Sequence, residues 1–592
     1  MKTSASLAGF QKIIFGGTFA NITDFEQFAT RAKQSGATHV DIGGLPRSYW
    51  EYDQPGDPYP AWTITNNSLL KVATPTVLKK YLPADFSEKC LGILEGRSAV
   101  LKKLGLKASF STADPAMLPE AVFTDHPLWR GARVDHPARS RAARFAPTID
   151  DPEVRAFYSE AVSILIRRCP EIDLYSIGTN DCGSGLDWSP GLYSGSFGNS
   201  LYRERSMDER LRDYLDAVQA GAREAGGGIE VRIFRTREPD PLRISRKLER
   251  GTAVENLEGP EGTPFMAGAG TREGTGNLFS PVYDIPQPVL LLNSLMEAAQ
   301  GGAPRLHVGF AGSRNRDLYF TVYDRFRAAK PADELEKLAL LKEIAVERAG
   351  SEKASDLLHL WLNVDEASRL IKLLDTGGII FDLGCVHQRW LTRPFVPFPA
   401  ELTEDEKSYF RPFLFQALDE DLANSLADVQ ATDVYTGWSG RHFLRRVTAP
   451  LEALIKKNAA LADRLGDERL ARRFDAFNCV VRNARNAISY QAQLDRVRQL
   501  GIKPLPHSVV GTQPDWDRQL MLETARAELD NTAVLMNLLR SDPNEFLRLA
   551  ATKEEEDIRL LGRDILDQLQ KKLNLMNARW EDYKRVFTIP NW

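Results

Sequence analysis

The chain has 592 residues, 43% of them hydrophobic and 26% charged, with a formal net charge of -4 at pH 7. That length can bury a large core and leaves room for a sizeable barrel plus a second domain. Lysine and arginine form no stripe, which argues against a nucleic-acid partner, and no run approaches the roughly 18 apolar residues that span a bilayer, which argues against a membrane one.

Five cysteines (Cys90, Cys169, Cys182, Cys385, Cys479) lie far apart and form no C-x-x-C pair, so neither a zinc site nor a disulfide framework is expected. Residues 1–15 lack the continuous apolar stretch and small-residue cleavage site of a signal peptide, and a cytoplasmic location is expected.

Strand-like and helix-like segments alternate over the first part of the chain. The pattern predicts a strand at 13–18, Thr23 as an N-cap, a helix at 24–35 and a strand at 38–42. Gly43–Gly44 then opens an aromatic loop with Tyr49, Trp50, Tyr52, Tyr59 and Trp62. A helix at 92–104 leads to a strand at 107–111 and to a loop carrying Arg133, Asp135 and His136. The helix 152–168 delivers a strand at 173–177, and the helix 207–225 delivers one at 229–236. A short strand at 252–255, an eighth near 264–267, a helix at 288–299 and a strand at 305–310 complete the series.

Eight strands alternating with helices predict an α/β fold, a (β/α)8 TIM barrel over residues 1–332, with an open doubly wound sheet as the alternative. From residue 333 to 592 amphipathic helical patterns dominate, at 357–374, 449–465, 468–500, 515–539 and 553–585, so the barrel is followed by a mostly α-helical C-terminal domain. Residues 387–399, with His387, Arg389, Trp390 and three prolines, break that pattern and are expected to be extended.

In such folds the carboxyl ends of the strands carry the chemistry. The most informative stretch runs from Asp173 to Trp188: an apolar strand, then Asn180 and Asp181, then a glycine-relaxed loop with Asp187 and Trp188. An acid beside an aromatic suits a sugar, which offers an apolar ring face to stack and a bridging oxygen to protonate. Asp181 is the leading catalytic acid, although Asn180–Asp181 could equally close a tight turn. Glu255 and Glu258, after the sixth strand, are candidates for its partner carboxylate, with a salt bridge or a solvated loop as their other roles. Arg133, Asp135 and His136 could hold sugar hydroxyls or a carboxylate. Arg235 and Arg237 are candidate anion holders, and Asp41 with Arg47, Tyr49 and Trp50 forms a polar–aromatic cluster of sugar-binding type.

The run 145–158, its helix, and then 172–181 resemble the central segment of barrel glycosidases of the α-glucuronidase and β-hexosaminidase type. In that group a Pro-Glu helix, here Pro152–Glu153, feeds a strand whose end carries the general acid, which implies Asp181. The α-glucuronidases also follow their barrel with a large helical domain, and the resemblance implies a further acid at Glu255. Where the hexosaminidases have an Asp-Glu pair this chain has Asn180–Asp181, and the α-glucuronidase acid is a Glu.

The sequence therefore predicts a glycoside hydrolase acting at the end of an oligosaccharide, one bearing a uronic acid among the options. Asp181 would be the acid and Glu255 or Glu258 the base or nucleophile. Asp41, Arg47, Trp50, Arg133, Asp135, His136, Asn180, Trp188 and Arg237 would line the substrate. No metal or organic cofactor is implied, and a homodimer is left open. The rivals are a barrel sugar lyase or isomerase using Asp181 and His136, and a non-catalytic carbohydrate-binding protein on a degenerate barrel.

Overall fold

A computed structural model describes residues 9–45, 68–82, 84–114, 116–133, 145–178, 205, 207–234, 252–254, 266–271, 279, 281–310, 314–376, 390–410, 438–502, 513–550 and 561–585. Its strands are β1 (Lys12–Gly16), β2 (His39–Asp41), β3 (Lys107–Ala113), β4 (Arg130–Arg133), β5 (Phe145–Pro147), β6 (Ile172–Gly178), β7 (Glu230–Phe234), β8 (Thr252–Val254), β9 (Ala267–Gly270) and β10 (Arg305–Gly309). Strands β4 and β5 form an antiparallel pair of their own. The other eight make one sheet in the order β8-β7-β6-β3-β2-β1-β10-β9, parallel throughout.

Strands consecutive in the chain are thus neighbours in the sheet, and β1 lies against β10. Among the described residues the one missing ladder in a closed round is β8 to β9. The sheet is strongly curled. Arg305 on β10 and Glu230 on β7 are five places apart in that order, roughly 24 Å in a flat sheet, yet their side chains meet at 2.8 Å. Lys12 on β1 reaches Asp173 on β6 at 3.3 Å and Glu230 at 3.2 Å. Above this charged layer Ile14, Leu174 and Met266 touch one another, from β1, β6 and the residue preceding β9. These contacts run across a lumen, not along a surface.

Helices cover the outer face: α1 (Ile22–Gln34), α2 (Ala84–Leu104), α3 (Pro152–Arg168), α4 (Met207–Glu224), α5 (Pro288–Gln300) and α6 (Arg316–Ala329). Two of them, α1 and α3, begin at a side-chain cap. Asp151 accepts the Glu153 N–H at 2.8 Å and Pro152 occupies the first turn of α3. The cap of α1 is Asn21, which accepts from the Asp24 N–H at 3.0 Å, and not Thr23 as the sequence suggested. An amide at 21 starts the helix two residues earlier. Outward side chains such as Phe15 pack between sheet and helices, with Phe320 stacked at 5.5 Å and Tyr323 edge-on at 5.0 Å.

The architecture is therefore α/β, a curled parallel sheet wrapped by helices, followed by a helical region. That region holds α7 (Glu334–Thr376, broken at Gly350 with φ 76°), α8 (Trp438–Leu465), α9 (Glu468–Ile502), α10 (Gln513–Leu539), α11 (Ile565–Ala578) and α12 (Trp580–Arg585). The single helix expected at 553–585 is instead two helices, α11 and α12, parted at Arg579. Leu561 before them makes a β-bridge with Leu549, which pulls that residue out of helix. Trp390, expected in an extended segment, sits in a short helical turn and is buried. His387 and Arg389 lie outside the described residues.

Candidate functional site at the carboxyl end of the sheet

Partners in parallel register point to the same face of a sheet. Ile14, a lumen residue, pairs with His39 and His307. Leu174 pairs with Ser109 and Glu230, and Asp41 with Ser109. Ser176 follows Leu174 on the same face and pairs with Ser111 and Arg232. The lumen is consequently layered. Lys12, His39, Asp173, Glu230 and Arg305 form a charged floor at the amino end, where barrels place residues that serve stability. Ile14, Leu174 and Met266 form an apolar middle. Towards the carboxyl end come Asp41, Ser111, Ser176, Arg232 and His307.

The floor is held by charge. His39 Nε2 and Asp173 Oδ1 are 2.7 Å apart. Burial raises the Asp173 pKa, but His39 and Lys12 outweigh it, and its carboxyl ends below the usual range.

Asp41 is the best-defined polar group at the carboxyl end. Its Oδ2 accepts from the Ser109 hydroxyl at 3.0 Å and its Oδ1 from the Gly43 N–H at 2.8 Å. A carboxylate has about four acceptor sites, and the described residues fill two of those of Asp41. The turn after it is pinned from outside the sheet. Arg97, buried on α2, donates to the carbonyls of Ile42 (2.8 Å) and Gly43. Its guanidinium rests against Phe19 and Phe25. Burial lowers its pKa, against the raising fields of Asp41 and Asp24.

His307 lies over Gly16. A Cβ at Gly16 would fall 2.8 Å from His307 Nε2 and 3.8 Å from Asp41 Cβ, so only glycine lets the imidazole settle there. Arg232 Nη1 reaches the Met266 sulfur at 3.4 Å. Gly268, in register with His307, would meet none of the described residues within 4 Å if it carried a Cβ.

A further acid follows β3. Asp114, fully buried, accepts from the Ser68 hydroxyl at 3.2 Å and the Leu69 N–H at 3.0 Å. Burial pushes its pKa up to about 6, against the lowering bonds from Leu69, Thr112 and Ser68 and the field of Lys71. It faces the outer layer with Tyr158, Tyr175 and Tyr214 and anchors the segment 68–72, so its role is to hold the rim.

Of the sequence-predicted site residues, Asp41 stands in the lumen. The backbone of Arg133 belongs to β4, opposite Phe145, and its side chain lies outside the described residues. Also outside them are Arg47, Tyr49, Trp50, Asp135, His136, Asn180, Asp181, Asp187, Trp188, Arg235, Arg237, Glu255 and Glu258. The described strands β6, β7 and β8 end at Gly178, Phe234 and Val254, immediately before several of these positions in the chain.

Sequence reasoning missed His307 and Arg97. His307 had a readable signal: Arg305 and His307 alternate with buried Leu306 and Val308, a strand with one polar face turned to the interior. Arg97 had none, being one more cation on a helix. Among the described residues no group of three or more His, Cys, Asp or Glu side chains is placed to hold a metal ion, and no helix is long and apolar enough to cross a membrane.

No family model matches the chain, and no curated protein matches it. Solved structures do. The chain is similar to a GH138 enzyme targeting pectin rhamnogalacturonan II, at 10% identity, over 98% of this chain and 84% of that one, with a TM-score of 0.49. It is similar to the O-GlcNAc hydrolase of Thermobaculum terrenum at 10% identity, over 97% of both chains, with a TM-score of 0.31. It is also similar to the GH36 alpha-galactosidase AgaA of Geobacillus stearothermophilus at 13% identity, over 58% of this chain and 42% of that one, with a TM-score of 0.30. These neighbours are glycoside hydrolases. At such identities and scores the chemistry of this chain rests on its own side chains.

Proposed function

We propose that this protein is a glycoside hydrolase that removes a sugar from the end of an oligosaccharide, on a sheet that closes into a full (β/α)8 barrel through β8 and β9. The observation that carries this reading is the polar upper lumen. A carboxylate fixed by Ser109 and Gly43, hydroxyls, an imidazole and a guanidinium surround a space with a bare glycine wall. Such a lining matches a small polyhydroxylated ligand, which needs many short-range donors and acceptors and close backbone approach. Arg232 adds a cation that would suit a uronic-acid carboxylate.

In this reading Asp181, three residues beyond β6, protonates the leaving oxygen, and Glu255 or Glu258, just beyond β8, activates water or attacks directly. Such chemistry needs no metal or organic cofactor. The order of strand ends and the helical region that follows support the α-glucuronidase-like type within this class.

The test is hydrolysis of a panel of 4-nitrophenyl α- and β-glycosides and glucuronides by the purified protein. Asp181→Asn should lower kcat by about 10²–10⁴-fold, and Glu255→Gln or Glu258→Gln should do the same for whichever is the partner. Turnover unchanged by Asp181→Asn would remove it as the acid. Sugar binding without turnover would replace the hydrolase with a carbohydrate-binding protein.

A further inference from the structure

We infer that the short helix Leu69–Val72, on the carboxyl-end rim, is a proton-operated latch, which neutral Asp114 holds shut and ionised Asp114 releases. The inference goes beyond the glycosidase reading and needs no substrate for its test.

The latch lies in the connection from β2 to α2, on the side where such connections surround the mouth of the sheet. Its two ends are held differently. The leading end is held to the sheet by Asp114, which accepts from the Ser68 hydroxyl at 3.2 Å and the Leu69 N–H at 3.0 Å. The trailing end is fastened to the outer helices. The Ser87 hydroxyl on α2 donates to the Val72 carbonyl at 2.8 Å, and Glu160 on α3 accepts the Thr76 N–H at 3.0 Å and the Thr76 hydroxyl at 2.6 Å. Release from Asp114 therefore frees one end while the other stays anchored. Leu69, Leu70 and Val72 are fully buried, which keeps opening rare, and the proton sets how its frequency changes with pH.

Asp114 is itself fully enclosed. Among the described residues, the titratable groups that face it are Lys71 of the latch, Tyr175 of β6, Tyr158 of α3 and Tyr214 of α4. Tyr175 shares a bond with Thr112 at 2.9 Å. The hydroxyls of Tyr158 and Tyr214 are buried without a hydrogen-bond partner, their rings edge-on at 5.0 Å. The bonds from Leu69, Thr112 and Ser68 and the field of Lys71 favour the carboxylate, but burial outweighs them and favours the neutral acid. Opening the latch on an ionised Asp114 lets water reach the carboxylate and both phenols together, so one motion relieves three buried polar groups.

The test is hydrogen exchange of the full chain, read by mass spectrometry and corrected for the chemical pH dependence of exchange. The reporters are the Leu69 amide, bonded to Asp114, and those of Lys71, Val72 and Ala73, bonded to the Ser68 and Leu69 carbonyls. Closed Asp114 has a pKa of about 6 against an ordinary 3.8, so closure is favoured most below pH 4 and that advantage is lost as pH rises through 6. Opening should therefore increase by about 100-fold between pH 4 and 7.5, and in Asp114→Asn it should not change. At each pH the amides of β3 should be better protected than these four. Tyr158→Phe and Tyr214→Phe should keep the pH dependence and lower the opening by about 5-fold or more. These two variants carry the test should Asp114→Asn fail to fold.

Equal pH dependence in wild type and Asp114→Asn would overturn the inference, as would reporters protected as well as β3, which would mean that the segment opens only with the whole fold. Opening unchanged in both tyrosine variants would overturn it too. None of these outcomes bears on whether the protein hydrolyses glycosides.

Discussion

Asp114 shows how one buried acid shapes the rim of this molecule. It accepts from Ser68 and Leu69, and these bonds fasten the segment 68–72 to the end of β3. Three tyrosines, Tyr158, Tyr175 and Tyr214, surround it, and burial holds their hydroxyls neutral far beyond the usual range. Desolvation outweighs the bonds, so the folded-state pKa rises from 3.8 to about 6. A raised value means that the folded chain binds the proton more tightly than the unfolded one. The stabilisation is therefore complete below the unfolded value near 4 and is lost as pH climbs through 6. Two units correspond to about 3 kcal/mol. Asp114→Asn keeps an acceptor for Leu69 and cannot ionise. Urea midpoints of wild type and variant should therefore converge at pH 4 and separate by pH 7.5, with the variant the more stable. An equal gap at both pH values would show that Asp114 titrates normally.

At the level of elements, the readable parts were those whose local chemistry agrees with their place. Helix α3 was legible to the residue because Asp151 and Pro152 mark its start. Strand β6 was legible because its apolar run has no competing helical period. Strand β9 was misplaced by a few residues because its four residues are Ala-Gly-Ala-Gly, which carry no strand preference. It is a strand because β10 lies alongside, so close that a Cβ on Gly270 would fall 2.6 Å from the Gly309 carbonyl oxygen. At the site, Asp41 was visible because it ends an apolar strand. Arg97 acts through a partner 55 residues away in the chain, Ile42, and no local pattern announces it, whereas the alternation around His307 shows a polar strand face but not Gly16, 291 residues away, beneath the ring.

The helical region has a similar long-range knot. Glu528 on α10, buried, accepts from Asn483 (2.6 Å) and Asn486 (2.9 Å) on α9 and from Lys572 on α11. Lys572 also donates to the Leu391 carbonyl at 2.9 Å. Burial lowers its pKa, against the pull of Glu528. Glu528→Ala strands a buried ammonium and two amides, and should cost about 3–5 kcal/mol in urea unfolding. The double variant Glu528→Gln with Lys572→Met removes both charges and should recover most of that loss. A double variant no better than Glu528→Ala would show that the charge pair itself holds the three helices.

Across the whole molecule, sheet and helical region share one apolar core that runs from Phe15 to Tyr583. The segment before α5 makes the join. Phe279 packs edge-on to Phe477 of α9 at 4.9 Å, and Arg548 donates from its backbone to the Pro281 carbonyl at 2.9 Å. Asp284, in a left-handed conformation with φ 61°, faces Arg314 at 3.3 Å and Arg473 at 3.7 Å. Lys337 and Asp365 of α7 both bond Asn293 of α5. A seam of this kind removes the usual reason for two halves to unfold separately, since exposing either leaves apolar surface and paired charges of the other in water. The full chain should therefore lose far-ultraviolet dichroism and tryptophan fluorescence in one coincident urea transition, although proteins of this size commonly unfold in steps. Phe477→Ala, which empties the join from the helical side, should shift both signals together by about 3–5 kcal/mol, and residues 1–332 alone should show no cooperative melt. Two separated transitions, with Phe477→Ala moving only one of them, would mean that the seam is a contact between independent units and that the lumen owes nothing to the helices packed beside it.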